Sequence, residues 1–178
     1  MITFRHADPR FPFLWETEEQ PAGRWHAAGE GPVQYLASTP DGAWAEFLRH
    51  EEIRTPAELA TVRRNLWAID LPKGRHHEPA LAPRVATGGL ETYPACQHQA
   101  RALRRRGAKR LHVPSAALRE GSAPGWRVDG ILRPGPKRRE VVFVLFGRRP
   151  DLVGWHAVAA ARPPADVLAR VHHFRAVR

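Results

Sequence analysis

Five side chains in this sequence are of types that could do chemistry together: Arg5, Arg24, Tyr35, Glu46 and Ser115. Arg24 to Tyr35 and Tyr35 to Glu46 are both intervals of 11 residues. An arginine presents a planar fork shaped for phosphate or carboxylate, and a serine hydroxyl both donates and accepts. A tyrosine offers a flat face and a glutamate a fixed negative charge. Each also has an ordinary reading: Arg24 as a surface cation, Tyr35 as a half-buried strand aromatic, Glu46 as an exposed helix residue, Ser115 as a turn former. Glu46 lies nearly opposite the stripe of Trp44 and Leu48 at 100 degrees per residue, so it faces either water or a cleft.

Other chemistries lack their motifs. The sequence has no Gly-x-x-x-x-Gly-Lys-Ser/Thr loop and no strand followed by Gly-x-Gly-x-x-Gly, so neither common phosphate cradle is present. The ten histidines include the neighbours His76-His77 and His172-His173, whose side chains point apart, and there is no His-x-x-x-His or Glu-x-x-His pair. No metal site is expected. Ser115 sits in no Gly-x-Ser-x-Gly elbow, which argues against a hydrolase triad. Cys96 is the sole cysteine, leaving no intramolecular disulfide and no cysteine-based zinc site.

The elements that must position these residues are short and separated by many of the 17 prolines and 14 glycines. Thr39-Pro40-Asp41 opens a helix running to about His50, with a capping threonine, a proline at the first position and an acidic first turn. Thr55-Pro56-Ala57-Glu58 is a capping box for a second, shorter helix, and Asn65 to Leu71 reads as a strand closed by Pro72. From Lys73 to Gly89 the chain has no sustained period and reads as a surface excursion bordering a site. Pro94 to Arg106 is a third helix ended by Gly107, and Leu111-His112-Val113 a buried strand leading to Pro114-Ser115. Further strands are expected at about Trp126 to Leu132 and Glu140 to Phe146, and a last helix at Pro164 to Phe174.

At 178 residues and 43% hydrophobic content, residues 1–178 fit one domain of mixed α and β structure. No stretch approaches the roughly 20 apolar residues of a membrane span, and Met1 to His6 lacks the layout of a signal peptide, so a cytoplasmic protein is expected. The formal net charge is +10, with all but three of the 28 basic residues arginine. Such a field attracts nucleic acids, anionic small molecules and acidic proteins without choosing among them. Neither basic run, Arg104 to Arg106 or Lys137 to Arg139, is interleaved with stacking aromatics.

Four stretches together resemble the RES-domain family, in the family's order: Phe4-Arg5, Gly23-Arg24-Trp25-His26 with Gly29 behind it, Tyr35 to Pro40 leading to Ala45-Glu46, and Val113 to Ala116. The resemblance implies an α+β fold like that of ADP-ribosyltransferases, a split mixed sheet with flanking helices whose cleft holds NAD+ as substrate without a Rossmann domain. It implies the toxin of a type II toxin-antitoxin pair, partnered by an Xre-type helix-turn-helix antitoxin, as a homodimer, with no membrane contact and with nucleic acid reached only through the antitoxin. His26 and Ala27-Ala28 depart from the more polar residues of the family pattern.

The implied reaction breaks the nicotinamide-ribose bond, by hydrolysis or phosphorolysis, through an oxocarbenium-like transition state. Glu46 then opposes the developing charge or orients the acceptor, Tyr35 stacks on nicotinamide, and Arg5 and Arg24 grip the pyrophosphate. Ser115 fixes the carboxamide or a ribose hydroxyl. Tyr35→Phe is expected to be mild and Tyr35→Ala severe. The alternatives are transfer of ADP-ribose onto a protein and a non-catalytic basic domain that binds nucleic acid.

Overall fold

A computed structural model of the chain describes residues 1–174. Its centre is a six-stranded sheet formed by β1 (Ile2–Ala7), β2 (Val33–Ala37), β3 (Arg64–Asp70), β4 (Arg110–Pro114), β7 (Val141–Phe146) and β8 (Val153–Ala161), in the order β4-β7-β2-β1-β3-β8. The ladders are antiparallel, and a single parallel bridge, His77 to Leu111, continues the β4 edge. A separate hairpin is made by β5 (Ala123–Asp129) and β6 (Ile131–Arg138). The helices are α1 (Pro40–His50), α2 (Pro56–Thr61), α3 (Pro83–Ala86), α4 (Tyr93–Arg105) and α5 (Ala165–Leu168).

The expected fold class holds, including the split. In the middle of the sheet β1 and β2 share one register pair, Phe4 with Ala37, whereas β1 and β3 are paired along their whole length. Beyond Phe4 and Ala37 the two strands part, and α1 lies across the opening. Alternation along β2 puts Leu36 into one core with Ile69, Phe143 and Leu145, while Val33 and Tyr35 face another with Trp25, Leu111 and Val144. The run Val141 to Phe146 is buried as its composition demands.

Helix α1 begins as expected. Thr39 is its N-cap, accepting from the Gly42 amide at 3.0 Å, and Asp41 lies in the first turn with Arg49 and His50 in the last. Both halves of the Thr55–Glu58 capping box form on α2. Gly107 has φ +87°, the left-handed conformation that ends α4.

Two expected elements are corrected. The strand at Trp126 to Leu132 is instead the tip of the β5–β6 hairpin, turned at Asp129-Gly130 with Gly130 at φ +67°. The helix at Pro164 to Phe174 is only the four residues of α5, because Val171 leaves to bridge Leu118 and the His172 amide donates to the Ala117 carbonyl. The Lys73 to Gly89 excursion carries the short α3 and is tied to the sheet at His77. Among the described residues, no helix is long and apolar enough to cross a membrane.

Candidate active site

The split between β1 and β2 opens into a cleft of about 230 Å³. Arg5 reaches it from β1, Tyr35 from β2, Glu46 from α1 and Arg24 from the loop before β2, so four of the five expected residues share its wall. Ser115, just past β4, lines a second cavity of about 830 Å³ that shares Trp25, Val113 and Pro114 with the cleft. It still touches the site, since its Oγ donates to Glu46 Oε1 at 3.0 Å.

Glu46 is held rather than solvated. Its side chain is 24% exposed, and His50, one turn on, brings Nε2 to 4.0 Å from Oε2. Ser115 Oγ also accepts the amides of Ala117 at 3.1 Å and Leu118 at 3.2 Å. Its single hydrogen therefore goes to the carboxylate and its lone pairs to the backbone. The hydroxyl expected to meet a carboxamide or ribose hydroxyl is thus engaged with Glu46 in this structure.

Tyr35 is pinned through its hydroxyl, which accepts the Trp25 amide at 3.1 Å and lies 2.9 Å from His26 Nδ1. His26 Nε2 is 3.0 Å from the Pro21 carbonyl, which can only accept. The proton therefore sits on Nε2, Nδ1 is the acceptor, and Tyr35 donates to it. Burial lowers the His26 pKa and so favours this neutral ring, while burial raises that of Tyr35. A Cβ at Gly23 would stand 2.7 Å from the Tyr35 hydroxyl, so the approach requires glycine. These bonds give Tyr35→Phe a cost in stability, because the change strands two buried polar partners.

Arg24 is committed to the protein more than its sequence reading allowed. Nη1 donates to Thr92 Oγ1 at 3.0 Å, Nη2 to the Gly88 carbonyl at 2.6 Å, and the guanidinium lies 4.7 Å from the centre of the Tyr93 ring. It binds the end of the Lys73 to Gly89 excursion against the cleft. Arg5 keeps more of its fork for a ligand; it donates to Gln34 Oε1, and burial brings its pKa down to about 10, which leaves it charged at neutral pH.

Three wall residues were missed from the sequence. Arg49, 2% exposed, donates to the carbonyls of Ala116, His172 (2.8 Å) and Gly88 (2.8 Å). Its place three residues after Glu46 on α1 was the available signal. Burial lowers its pKa and Glu46 opposes that shift. Tyr93, at the start of α4, forms the wall below Arg24. His6 lines the cleft beside Arg5, and burial, followed by the charges of Arg5 and Arg64, pushes its pKa down to about 3, so it is neutral. One carboxylate thus stands among three guanidiniums, the two imidazoles of His6 and His50, and two tyrosines. Such a site suits an anionic ligand with a flat ring and one locally cationic centre. Among the described residues, no group of three or more histidine, cysteine or carboxylate side chains could hold a metal ion.

The chain is similar to "Toxin Res" of Pseudomonas putida, 45% identical over 64 residues that make up 35% of this chain and 42% of that protein. The match thus spans less than half the length of that relative. In fold it is similar to a chain of the crystal structure of the M. tuberculosis MbcT-MbcA toxin-antitoxin complex, with a TM-score of 0.59 at 15% identity, covering 94% of this chain and 86% of that one. The sequence model of the RES domain matches residues 2–166, from the first strand into the last short helix, and the chain belongs to the RES domain family.

Proposed function

We propose that this chain is the toxin of a toxin-antitoxin pair and that it breaks the nicotinamide-ribose bond of NAD+. The observation that carries the reading is the meeting of Glu46, oriented by Ser115, with Arg5, Arg49 and Tyr35 in one small cleft. Leaving of neutral nicotinamide builds positive charge on the anomeric carbon and ring oxygen, and a fixed carboxylate in a water-poor site stabilises that charge. Glu46 supplies it. Tyr35 provides a rigid face for the nicotinamide ring, and the guanidiniums balance the diphosphate.

In the hydrolytic form, water attacks the anomeric carbon as the C–N bond breaks and the bonding pair leaves with nicotinamide. The products are nicotinamide, ADP-ribose and a proton. With inorganic phosphate as acceptor the second product is instead the 1-phosphorylated sugar. The cleft holds only part of a dinucleotide, being smaller than the roughly 300–1,000 Å³ of most small-molecule sites.

The proposed partner is a helix-turn-helix antitoxin with an acidic surface, since the net charge of +10 favours rapid association with such a protein. The test of the reading is chromatography of NAD+ incubated with the purified protein, with and without phosphate. Free nicotinamide with ADP-ribose or its phosphorylated counterpart is expected; intact NAD+ under both conditions overturns the reading.

A further inference from the structure

A third cavity, of about 800 Å³, continues from the cleft on the side away from Ser115 and shares Arg5 and His6 with it. Its far wall is the segment before β2, where Phe11 and Trp15 are 61% and 46% exposed although aromatic. The two cavities are joined by one buried side chain. Gln34, fully buried on β2, accepts from Arg5 Nη1 and from the Trp15 amide through Oε1, while its Nε2 donates to the Trp15 carbonyl. Gln20 Nε2 donates to the same carbonyl at 2.8 Å. An exposed aromatic, next to Phe13 and Leu14 that pack on the core, is therefore clamped in register with a cleft arginine.

His6 stands at the junction. Its ring packs on Phe47 with centroids 5.0 Å apart, and its buried Nδ1 has no hydrogen-bond partner among the described residues. Arg64 completes the cationic side, over the Phe47 ring and 3.3 Å from Asp8. Three carboxylates also line the groove: Asp8, which binds Arg10 and Arg64, Glu16, which accepts the Arg149 amide at 3.3 Å, and Glu19. The cavity on the Ser115 side has no comparable platform, since its one large aromatic, Trp25, is 2% exposed.

Resting on the reading of the cleft as an NAD+ site, we propose that this groove takes the adenosine diphosphate end of the dinucleotide. The base stacks on Trp15 and the diphosphate passes Arg5, the cation that lines both cavities. A nucleobase on an aromatic platform gains affinity whatever the base, so Trp15 sets a preference for the whole dinucleotide over its nicotinamide half.

The test compares NAD+ with nicotinamide mononucleotide, which has the same scissile bond and lacks the adenylate. Trp15→Ala is expected to raise KM for NAD+ roughly tenfold, about 1.4 kcal/mol, and to leave kcat/KM for the mononucleotide unchanged. Trp15→Phe keeps the platform and restores KM for NAD+. An unchanged KM for NAD+, or equal losses on both substrates, overturns the proposal. Calorimetric titration with ADP-ribose reads the groove without turnover. If the protein releases nicotinamide from neither substrate, the cleft reading fails, and the groove stands only if ADP-ribose binds the native chain and binds Trp15→Ala roughly tenfold more weakly.

Discussion

The Ser115 hydroxyl donates to Glu46 Oε1 at 3.0 Å, across 69 residues of sequence, while two backbone amides hold the serine oxygen in place. Under the proposed function, the serine acts on the reaction through the carboxylate it orients. Ser115→Ala frees Glu46 to rotate and is expected to lower kcat for nicotinamide release about tenfold with little change in KM. A rise in KM at constant kcat would mean direct substrate contact instead. Stability falls by about 1–2 kcal/mol as the Ala117 and Leu118 amides lose their acceptor, measured by urea unfolding.

Tyr35→Phe removes the group that accepts from Trp25 and donates to His26. The expected cost is about 1–3 kcal/mol, a visible drop in Tm, with residual activity because the flat ring remains. Tyr35→Ala loses both the bonds and the ring, and with them activity.

Glu140 shapes the site without lining the cleft. This carboxylate, 5% exposed, accepts from the amides and hydroxyls of Ser38 and Thr39, the two residues ahead of α1. Its burial raises its pKa and those hydrogen bonds oppose the shift. Glu140→Ala strands these donors and loosens the helix that carries Glu46. A stability loss of about 2–3 kcal/mol with reduced kcat is expected, measured by thermal unfolding alongside nicotinamide release.

Acid should destabilise the fold before its carboxylates titrate. His6 has a folded pKa of about 3 against 6.5 unfolded, so between these values the unfolded chain binds the extra proton and stability falls as pH falls. The limiting slope is roughly 1.4 kcal/mol per pH unit for each such proton. His26, His76 and His173 are shifted downward by burial as well and act with the same sign. Unfolding free energy followed from pH 6.5 to pH 5 should decline, and His6→Gln should flatten that decline.

Much of this fold was legible where local chemistry acts alone. Thr39-Pro40-Asp41 and Thr55 to Glu58 carry their own capping bonds, so both helix starts were readable from spacing. One failure lies where distant partners decide, the other where a local turn signal was missed. Pro164 to Phe174 has a helical period, but Leu118 and Ala117 capture Val171 and His172. Asp129-Gly130 is a turn dipeptide that reading Trp126 to Leu132 as one strand overlooked. At the site, Glu46 could be narrowed to water or a cleft from its helix face, yet only the tertiary bond from Ser115 decides which. Arg49 had only its place three residues after Glu46 on α1 to mark it, and His6 was passed over because an uncharged histidine leaves no local signature.

The central claim is that the Glu46 carboxylate stabilises the charge developing on the ribose. It is tested most directly by single-turnover release of nicotinamide at saturating NAD+ from the native chain and from Glu46→Gln, which keeps the shape and removes the charge. A rate about a hundredfold lower in the variant, with NAD+ still bound, is the predicted result, equivalent to about 3 kcal/mol of lost stabilisation. Equal rates from the two proteins would contradict it.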